Sequence, residues 1–278
     1  MFCERGGAIH TGYKVEALIH RDGRIQEVRA RHEPSRTVRS FSSDYVFSTM
    51  PIQELMRALD PPPPTRVLEV SDGLVYRDFI TVGLLVSRLK ITENAAGGPS
   101  IQDNWIYIQE PDVKVGRLQI FNNWSPYMVR DPSKIWIGLE YFCNQTDPIW
   151  SLADKEMIQL AKEELSKIGI IDESAVLDGT VLRVEKTYPA YFGTYDRFEE
   201  IRNYIDQFEN LFLVGRNGMH KYNNQDHSML TAMIAVDNIA AGRTDKSNVW
   251  EVNTEQDYHE EQDQAGTQNE PMVQTASA

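Results

Sequence analysis

Apolar and polar residues alternate over positions 8–30, and this pattern predicts a β-hairpin near the start of the chain. Asp22-Gly23 lies at its centre, and an Asp-Gly pair suits the type I′ turn that joins two such strands. The pattern then predicts a short apolar strand over 44–50 and, from apolar residues at helical spacing, a helix over 52–59. The first fifty residues are therefore expected to be mainly β-structure.

A longer β-region is predicted over residues 76–142. It opens with a long apolar strand, and three further runs rich in Trp, Tyr, Ile and Phe follow at 104–109, 117–122 and 134–142. Their spacing is typical of a meander, so this region is expected to form an antiparallel sheet. The pattern beyond it predicts a helix, a strand and a second helix, at 151–169, 180–187 and 196–209.

A buried strand, a polar turn and a helix are predicted over residues 211–242. The strand is the apolar run 211–214, which is too short for a helix and is bounded by glycine. The helix is expected to begin after Asp226 as its N-cap and to end at Gly242. Its predicted apolar positions are Met229, Met233, Val236 and Ile239.

Gly215 and Gly218 lie in the turn between this strand and this helix. Glycine lets a backbone come close to another group, and the N–H groups at a helix N-terminus favour an anion. Open α/β sheets bind ligands at such a place. An ordinary strand-to-helix connection has the same pattern, because two glycines are a weak fingerprint.

Composition and charge restrict the class of protein. The chain has 278 residues, 41% of them apolar, which is enough for one large domain or two medium ones. It has no apolar run of about 18 residues and no apolar signal region, so a cytoplasmic protein without membrane association is expected. Residues 251–278 hold seven acidic residues and no Lys or Arg, so they supply −7 of the net charge of −13.

The remaining charge of −6 argues against nucleic acid as a partner. From about residue 253 the chain is rich in Gln, Glu and Asp and poor in apolar residues, which predicts disorder. Cys3 and Cys143 lie far apart in sequence, and the six histidines show no spacing of metal ligands. No metal site is predicted.

Three segments in one order along the chain resemble a known family. They are Gly-Arg-Leu-Gln-Ile-Phe-Asn-Asn-Trp-Ser-Pro-Tyr at 116–127, Thr-Tyr-Pro at 187–189, and the turn at 215–228. Together they resemble the eukaryotic-type UDP-galactopyranose mutases, members of the FAD-dependent amine oxidase and protoporphyrinogen oxidase superfamily. The resemblance covers roughly residues 5–245. It implies a mixed α+β and α/β fold, in which a partial FAD-binding domain of the Rossmann-like, glutathione reductase type carries an inserted antiparallel-sheet substrate domain.

The resemblance also implies an organisation of the chain. Residues 1–50 correspond to strands of the FAD domain, 51–185 to the substrate-side sheet and helices, 186–245 to the return to the FAD domain, and 246–278 to an acidic disordered tail. The GxGxxG unit with which the superfamily opens does not occur in this sequence. The chain is therefore expected to match the C-terminal portion of a longer flavoprotein, with a separate N-terminal chain as an expected partner.

By resemblance, the reaction interconverts the pyranose and furanose forms of a nucleotide sugar. N5 of reduced FAD attacks the anomeric carbon, UDP departs, and the sugar closes again with the other ring size, so the cofactor carries the chemistry and no catalytic side chain is predicted. Arginine can hold the departing diphosphate bidentately. The expected substrate-binding residues are Arg117, Tyr188, Arg216, Tyr222 and Asn224. The expected cofactor-binding residues are Val15, Gly215, Arg216, Gln225, Ser228 and Met229.

Other interpretations stay open. Arg117 could be a strand arginine on the solvent face, Tyr188 and Tyr222 could pack at a domain seam, and Val15 could be a core residue of the hairpin. The chain could instead be an FAD-dependent amine oxidase or protoporphyrinogen oxidase-like oxidoreductase, or a truncated, non-catalytic protein. An oxidase has no need to hold a diphosphate, so Arg117 and Arg216 favour the mutase.

Overall fold

The computed structural model of the chain describes residues 2–91 and 101–253. Its strands are β1 (Tyr13–Arg21), β2 (Arg24–His32), β3 (Val38–Phe41), β4 (Val46–Ser48), β5 (Leu59–Asp60), β6 (Leu74–Val86), β7 (Trp105–Tyr107), β8 (Arg117–Ile120), β9 (Ile135–Cys143), β10 (Val176–Gly193) and β11 (Leu211–Leu213). Its helices are α1 (Ile52–Ala58), α2 (Thr65–Asp72), α3 (Phe121–Trp124), α4 (Asp154–Lys167), α5 (Phe198–Ile205), α6 (Gly215–Met219), α7 (Gln225–Ala240) and α8 (Ser247–Trp250).

The predicted hairpin is confirmed as the antiparallel pair of β1 and β2. Asp22 and Gly23 have φ angles of 49° and 71°, and two positive values are what a type I′ turn requires. β3 pairs with β2 and the short β5 pairs with β1, so this sheet has the order β3-β2-β1-β5. The hairpin therefore forms the centre of a four-stranded sheet.

The antiparallel sheet predicted over 76–142 is also confirmed. Its strand order is β10-β6-β9-β8-β7, and every neighbouring pair is antiparallel. β7, β8 and β9 form the expected meander, whereas β10 begins earlier and ends later than the predicted strand at 180–187. Helix α4 covers the sheet and closes a core of fully buried side chains that includes Ile80, Leu139, Met157 and Leu165.

A second apolar core lies under the hairpin sheet. It unites Leu18 of β1 with Leu55 of α1, Ile201 of α5 and Leu213 of β11. Helices α1 and α2 belong to the range 51–185 but contribute their apolar side chains to this core. The division of the chain at residues 50 and 185 stays a prediction.

Asn210 ties the hairpin to the parallel pair β4–β11. Its side chain is buried, its Oδ1 accepts the Ile25 N–H at 2.8 Å, and its Nδ2 donates to the carbonyl oxygens of Ile25 at 2.9 Å and Asp44 at 3.2 Å. A buried amide whose hydrogen bonds are made in this way stabilises the junction that it occupies. The turn after β11 is therefore built on a fixed strand.

Secondary structure extends beyond the boundary at residue 246 that the resemblance implied. Helix α8 lies in the range 246–278 that was expected to form a disordered tail, but its Val249 and Trp250 are buried in the same core as Leu213. Two apolar residues after a polar stretch were a weak signal, and that part of the tail assignment is wrong. Residues 254–278 lie outside the described part of the chain.

Candidate functional site

The turn after β11 contains a short helix rather than a loop. Helix α6 begins two residues after β11 ends, and α7 begins at Gln225 with Asn224 as its N-cap. Asp226, which was predicted as the N-cap, is therefore the second residue of the helix. The His227 imidazole Nδ1 accepts the Asn224 N–H at 3.3 Å, and this contact satisfies a backbone donor just outside the helix. In the first turn, the Asp226 carboxylate is favoured by the helix dipole.

The two positions of the turn require glycine for different reasons. Gly215 has a φ angle of 77°, which favours glycine. A Cβ atom on Gly218 would lie 2.5 Å from the Ser48 carbonyl oxygen and 3.2 Å from the Thr49 Cα. The close approach expected of this turn is therefore made by Gly218 to the chain's own backbone, at the end of β4.

Helix α7 presents three of its predicted apolar positions to the solvent. Met229, Met233 and Val236 are 62%, 60% and 53% exposed, whereas the buried positions are Thr231, Ala235 and Asn238. Thr231 Oγ1 accepts the Gly215 N–H at 3.2 Å. Small or polar side chains face the protein because the helix packs closely against the turn.

The side chain of Arg117 is buried and does not lie on a solvent-exposed face of the sheet. Its side chain is 4% exposed, and that of Glu140, directly opposite on β9, is 3% exposed. Glu140 Oε2 accepts from Arg117 Nε at 2.8 Å and lies 2.6 Å from Nη2. The interpretation of Arg117 as a solvated strand residue is therefore wrong. The charge of its guanidinium is compensated inside the protein.

Tyr188 joins Arg117 to the turn. Its hydroxyl oxygen accepts from Arg117 Nη2 at 3.1 Å, and its ring stacks on the ring of Tyr222 with a centroid distance of 5.7 Å. Tyr188 is buried, whereas Tyr222 is partly exposed and its N–H donates to the Tyr191 hydroxyl at 2.6 Å. Burial raises the pKa of Tyr191.

Arg216 is the cation that reaches this stack from the turn. Its Cζ atom lies 5.1 Å from the ring centroid of Tyr188 and 4.5 Å from that of Tyr222. Its nitrogen atoms donate to the carbonyl oxygens of Asn223 at 2.9 Å and Thr187 at 3.4 Å, and Nη2 reaches Asn224 Oδ1 at 3.4 Å. Within residues 2–91 and 101–253, no carboxylate forms an ion pair with this partly exposed arginine.

The structure therefore brings together the five residues expected to bind substrate. Arg117 contacts Tyr188, Tyr188 stacks on Tyr222, and Arg216 contacts both rings and Asn224. What this arrangement offers chemically is a fixed, partly exposed guanidinium beside two phenol groups, a combination suited to a phosphate.

The residues expected to bind the cofactor are placed in two regions. Gly215 lies next to Ser228, whose Oγ would be 3.8 Å from a Cβ atom on the glycine. Gln225 and Met229 are exposed in the first turns of α7. Val15 lies on β1 and is partly buried against the core beneath the hairpin. Its contact with a cofactor stays a prediction.

Sequence reasoning missed several residues that contact Arg117 or its partner Glu140; with the five residues expected to bind substrate, they form what is called the cluster below. Tyr107 accepts from Arg117 Nη1 at 3.4 Å, the Trp105 ring lies 4.6 Å from Arg117 Cζ, and Gln119 Nε2 donates to Glu140 Oε1. Side chains two residues apart on a strand lie on the same face of the sheet, so Trp105 shares a face with Tyr107, and Arg117 shares one with Gln119. Only the strand register, which puts Tyr107 beside Arg117 and Arg117 beside Glu140, would have identified them.

A pocket of about 250 Å³ lies beside Tyr188. Its lining includes Tyr76, Arg77, Asn144, Tyr191 and Phe192. This volume is below the roughly 300–1,000 Å³ of pockets that enclose a drug-sized ligand, so the pocket suits one ring or a few small groups rather than a whole nucleotide sugar.

Two further features of the described residues concern membranes and metals. None of the described helices combines the length and the apolar character needed to span a bilayer. Within the ranges 2–91 and 101–253, no group of three or more His, Cys, Asp or Glu side chains is arranged as a potential metal site.

Comparison with known proteins identifies solved structures of similar fold. No protein-family model matches the chain, and no curated protein matches it. Reduced UDP-galactopyranose mutase matches 87% of the chain with a TM-score of 0.65 and 19% identity. An oxidoreductase from Methanosarcina mazei matches 85% with a TM-score of 0.52 and 13% identity, and a protein named as a candidate protoporphyrinogen oxidase from Exiguobacterium sp. 255-15 matches 74% with a TM-score of 0.49 and 15% identity.

The chain spans about half the length of these solved proteins: 49% of the mutase, 51% of the oxidoreductase and 42% of the third. The structural match to the mutase shows a shared fold, and at 19% identity it shows the fold alone. The predicted mixed α+β fold is confirmed, because the chain combines a parallel strand pair, a hairpin sheet and an antiparallel sheet in the arrangement of the mutase fold.

Proposed function

We propose that this chain binds the diphosphate of a nucleotide sugar and forms the substrate side of a flavin-dependent UDP-galactopyranose mutase. The observation that carries the proposal is the environment of Arg216, a partly exposed cation held beside two stacked tyrosine rings with no carboxylate partner among the described residues. A planar guanidinium can hold two phosphate oxygens at once. The fold shared with reduced UDP-galactopyranose mutase supports the same assignment.

The other residues of the cluster have roles that follow from their contacts. The hydroxyls of Tyr188 and Tyr222 would donate hydrogen bonds to phosphate oxygens without adding charge. The hydrogen bond from Arg117 polarises the Tyr188 hydroxyl and makes it a better donor. The Asn224 amide, which contacts Arg216, would keep that guanidinium in place and contact the substrate.

The proposal requires FAD, and part of the chain fits it. Gly215, Arg216, Gln225, Ser228 and Met229 surround the N-terminus of α7, where backbone N–H groups favour a pyrophosphate, and Gly215 has a positive φ. When bound and reduced, the flavin supplies the nucleophile of the reaction. The described residues would grip the diphosphate and orient the sugar. We include Val15 as a further cofactor contact, and a partner polypeptide as the source of the rest of the site.

Flavin binding and turnover test the proposal directly. The visible spectrum of the purified chain is recorded with and without added FAD, and bound flavin is then reduced with dithionite and supplied with UDP-galactofuranose. Formation of UDP-galactopyranose supports the mutase. Absence of bound flavin in excess FAD means that this chain is not an enzyme by itself, and binding of UDP then decides whether it is a substrate-binding part.

Replacement of Arg216 tests the residue that carries the proposal. Arg216→Gln should weaken UDP binding by about 1.5–3 kcal/mol, which is the range for a hydrogen bond to a charged group and equals roughly a 10- to 150-fold rise in Kd. Arg57→Gln is the matched control, because Arg57 is an exposed arginine paired with Asp72. Equal UDP affinity of the wild type and Arg216→Gln contradicts the proposal.

An FAD-dependent oxidoreductase of the amine oxidase type is the second candidate. The observation in its favour is the fold shared with the oxidoreductase from Methanosarcina mazei. Under this proposal the flavin is reduced by an amine and reoxidised by oxygen, and UDP has no effect. A chain that binds neither flavin nor UDP supports the third interpretation, a non-catalytic protein.

A further inference from the structure

We infer that Glu140 is a positioning residue for the diphosphate site and acts through Arg117. The inference rests on the proposed function and deepens it. Tyr107, Arg117 and Glu140 lie side by side on the adjacent strands β7, β8 and β9, where the register pairs Tyr107 with Arg117 and Arg117 with Glu140. A carboxylate thus stands directly behind a cation of the cluster.

The carboxylate fixes the orientation of the guanidinium. Glu140 Oε2 accepts from Nε at 2.8 Å and lies 2.6 Å from Nη2, so it holds one edge of the Arg117 fork. Nη1 is directed to the Tyr107 hydroxyl at 3.4 Å, and Nη2 also reaches the Tyr188 hydroxyl at 3.1 Å. Rotation about the Cδ–Nε bond, which turns the whole guanidinium plane, would break these contacts together.

Glu140 is itself held in place and buried. Gln119 Nε2 donates to its Oε1, and the Glu140 side chain is only 3% exposed. The Trp105 ring covers the guanidinium of Arg117, with 4.6 Å between Cζ and the ring centroid. With this little exposure, Glu140 acts on a ligand through Arg117 and the tyrosine hydroxyls rather than by touching it.

Charge and positioning predict opposite results for removal of this carboxylate. Its negative charge lies close to a site that is proposed to bind an anion, so electrostatics alone predicts that Glu140→Gln tightens UDP binding. A positioning role predicts weaker binding, because the amide cannot accept from both Arg117 and Gln119 as the carboxylate does. The sign of the change therefore separates the two effects.

The experiment compares the wild type with Glu140→Gln by two measurements. Calorimetric titration with UDP should show a roughly tenfold higher Kd in the variant, which is the scale of the net loss of one hydrogen bond. NMR of arginine side chains should show a slowly exchanging Arg117 Nε–H in the wild type and a rapidly exchanging one in the variant. The second measurement needs no ligand.

Glu164→Gln is the matched control. Glu164 is another buried carboxylate near β8, and it accepts the backbone N–H groups of Lys114 at 2.7 Å and Val115 at 3.1 Å. This variant should lose stability without changing UDP affinity or the exchange of the Arg117 Nε–H. Should Glu140→Gln not fold, Gln119→Met removes only the donor on Oε1 and should raise the Kd roughly threefold.

Each outcome has one meaning. A wild type that binds UDP and a Glu140→Gln variant that binds it equally or more tightly overturn the inference about Glu140 alone. Unchanged exchange of the Arg117 Nε–H in the variant overturns it as well. A wild type that binds no UDP overturns the proposed function, and with it the assignment of Glu140 to a ligand site.

Discussion

The rings of Tyr188 and Tyr222 stack with 5.7 Å between their centroids and 16° between their planes. Tyr188 comes from β10 of the antiparallel sheet, whereas Tyr222 follows α6, which packs on the core beneath the hairpin. The stack therefore joins the two parts of the molecule beside Arg216. The candidate site is complete only when both parts have folded.

Removal of Arg117 should strongly destabilise the protein. Arg117→Met leaves the carboxylate of Glu140 buried and without its cation, and breaking a buried pair in this way costs about 3–5 kcal/mol. The free energy of unfolding measured in urea should fall by that amount. The double variant Arg117→Met with Glu140→Leu should regain most of the loss, because an apolar pair replaces the ionic one.

A small loss in the single variant, below about 1 kcal/mol, would show that water reaches the pair. The double variant also tests coupling, because contacting residues should deviate from additivity by about 0.5–3 kcal/mol.

The two glycines of the turn should respond differently to alanine. Gly218→Ala places a Cβ atom 2.5 Å from the Ser48 carbonyl oxygen, so α6 has to move away from β4, at a cost of about 1–3 kcal/mol. Gly215→Ala meets nothing closer than 3.8 Å and pays only for its φ angle of 77°, about 1–2 kcal/mol. Thermal unfolding measures both losses, and the position of the backbone in each variant separates the two causes.

The crystal structure of Gly218→Ala provides the complementary check. Separation of α6 from Ser48 is expected there, whereas the backbone of Gly215→Ala should stay in place. An unshifted backbone in both variants would contradict the steric explanation.

The sequence was sufficient for elements whose cause is local. The type I′ turn at Asp22-Gly23 depends only on two neighbouring residues with positive φ, and alternating apolar residues identify the strands on either side. The meander followed from its aromatic and β-branched runs. The resemblance implied one group of substrate-binding residues, and the structure shows contacts among its members, which are Arg117, Tyr188, Arg216, Tyr222 and Asn224. Their role in binding stays a prediction.

Features that depend on register or on packing distance were not predictable. Glu140 lies beside Arg117 because β8 and β9 align the two residues, and no local pattern encodes that alignment. Helix α7 is apolar on more than one side, so periodicity could not decide which face is buried. The close contact with Gly215 selected the face that carries Thr231.

This orientation of α7 predicts a contrast between two helix positions. Met233→Gln should change the free energy of unfolding by less than about 0.5 kcal/mol, since the methionine is 60% exposed. Ala235→Leu should cost about 1–3 kcal/mol, because Ala235 is fully buried and a larger side chain overpacks the core. Urea denaturation measures both. The reverse order of the two losses would mean that α7 presents its methionine face to the core.

The stability of the protein should depend on pH through His220. The imidazole is fully buried against Tyr76 and Tyr195, its Nε2–H donates to the Ala190 carbonyl oxygen at 3.1 Å, and burial lowers its pKa from 6.5 to about 4. Between these values the unfolded chain binds a proton that the folded chain does not. Stability is therefore full above pH 6.5 and falls by roughly 3 kcal/mol as the pH drops towards 4. Urea denaturation from pH 7 to pH 4.5 measures this slope, which should flatten in His220→Phe; an equal slope in both proteins would assign the loss to other groups.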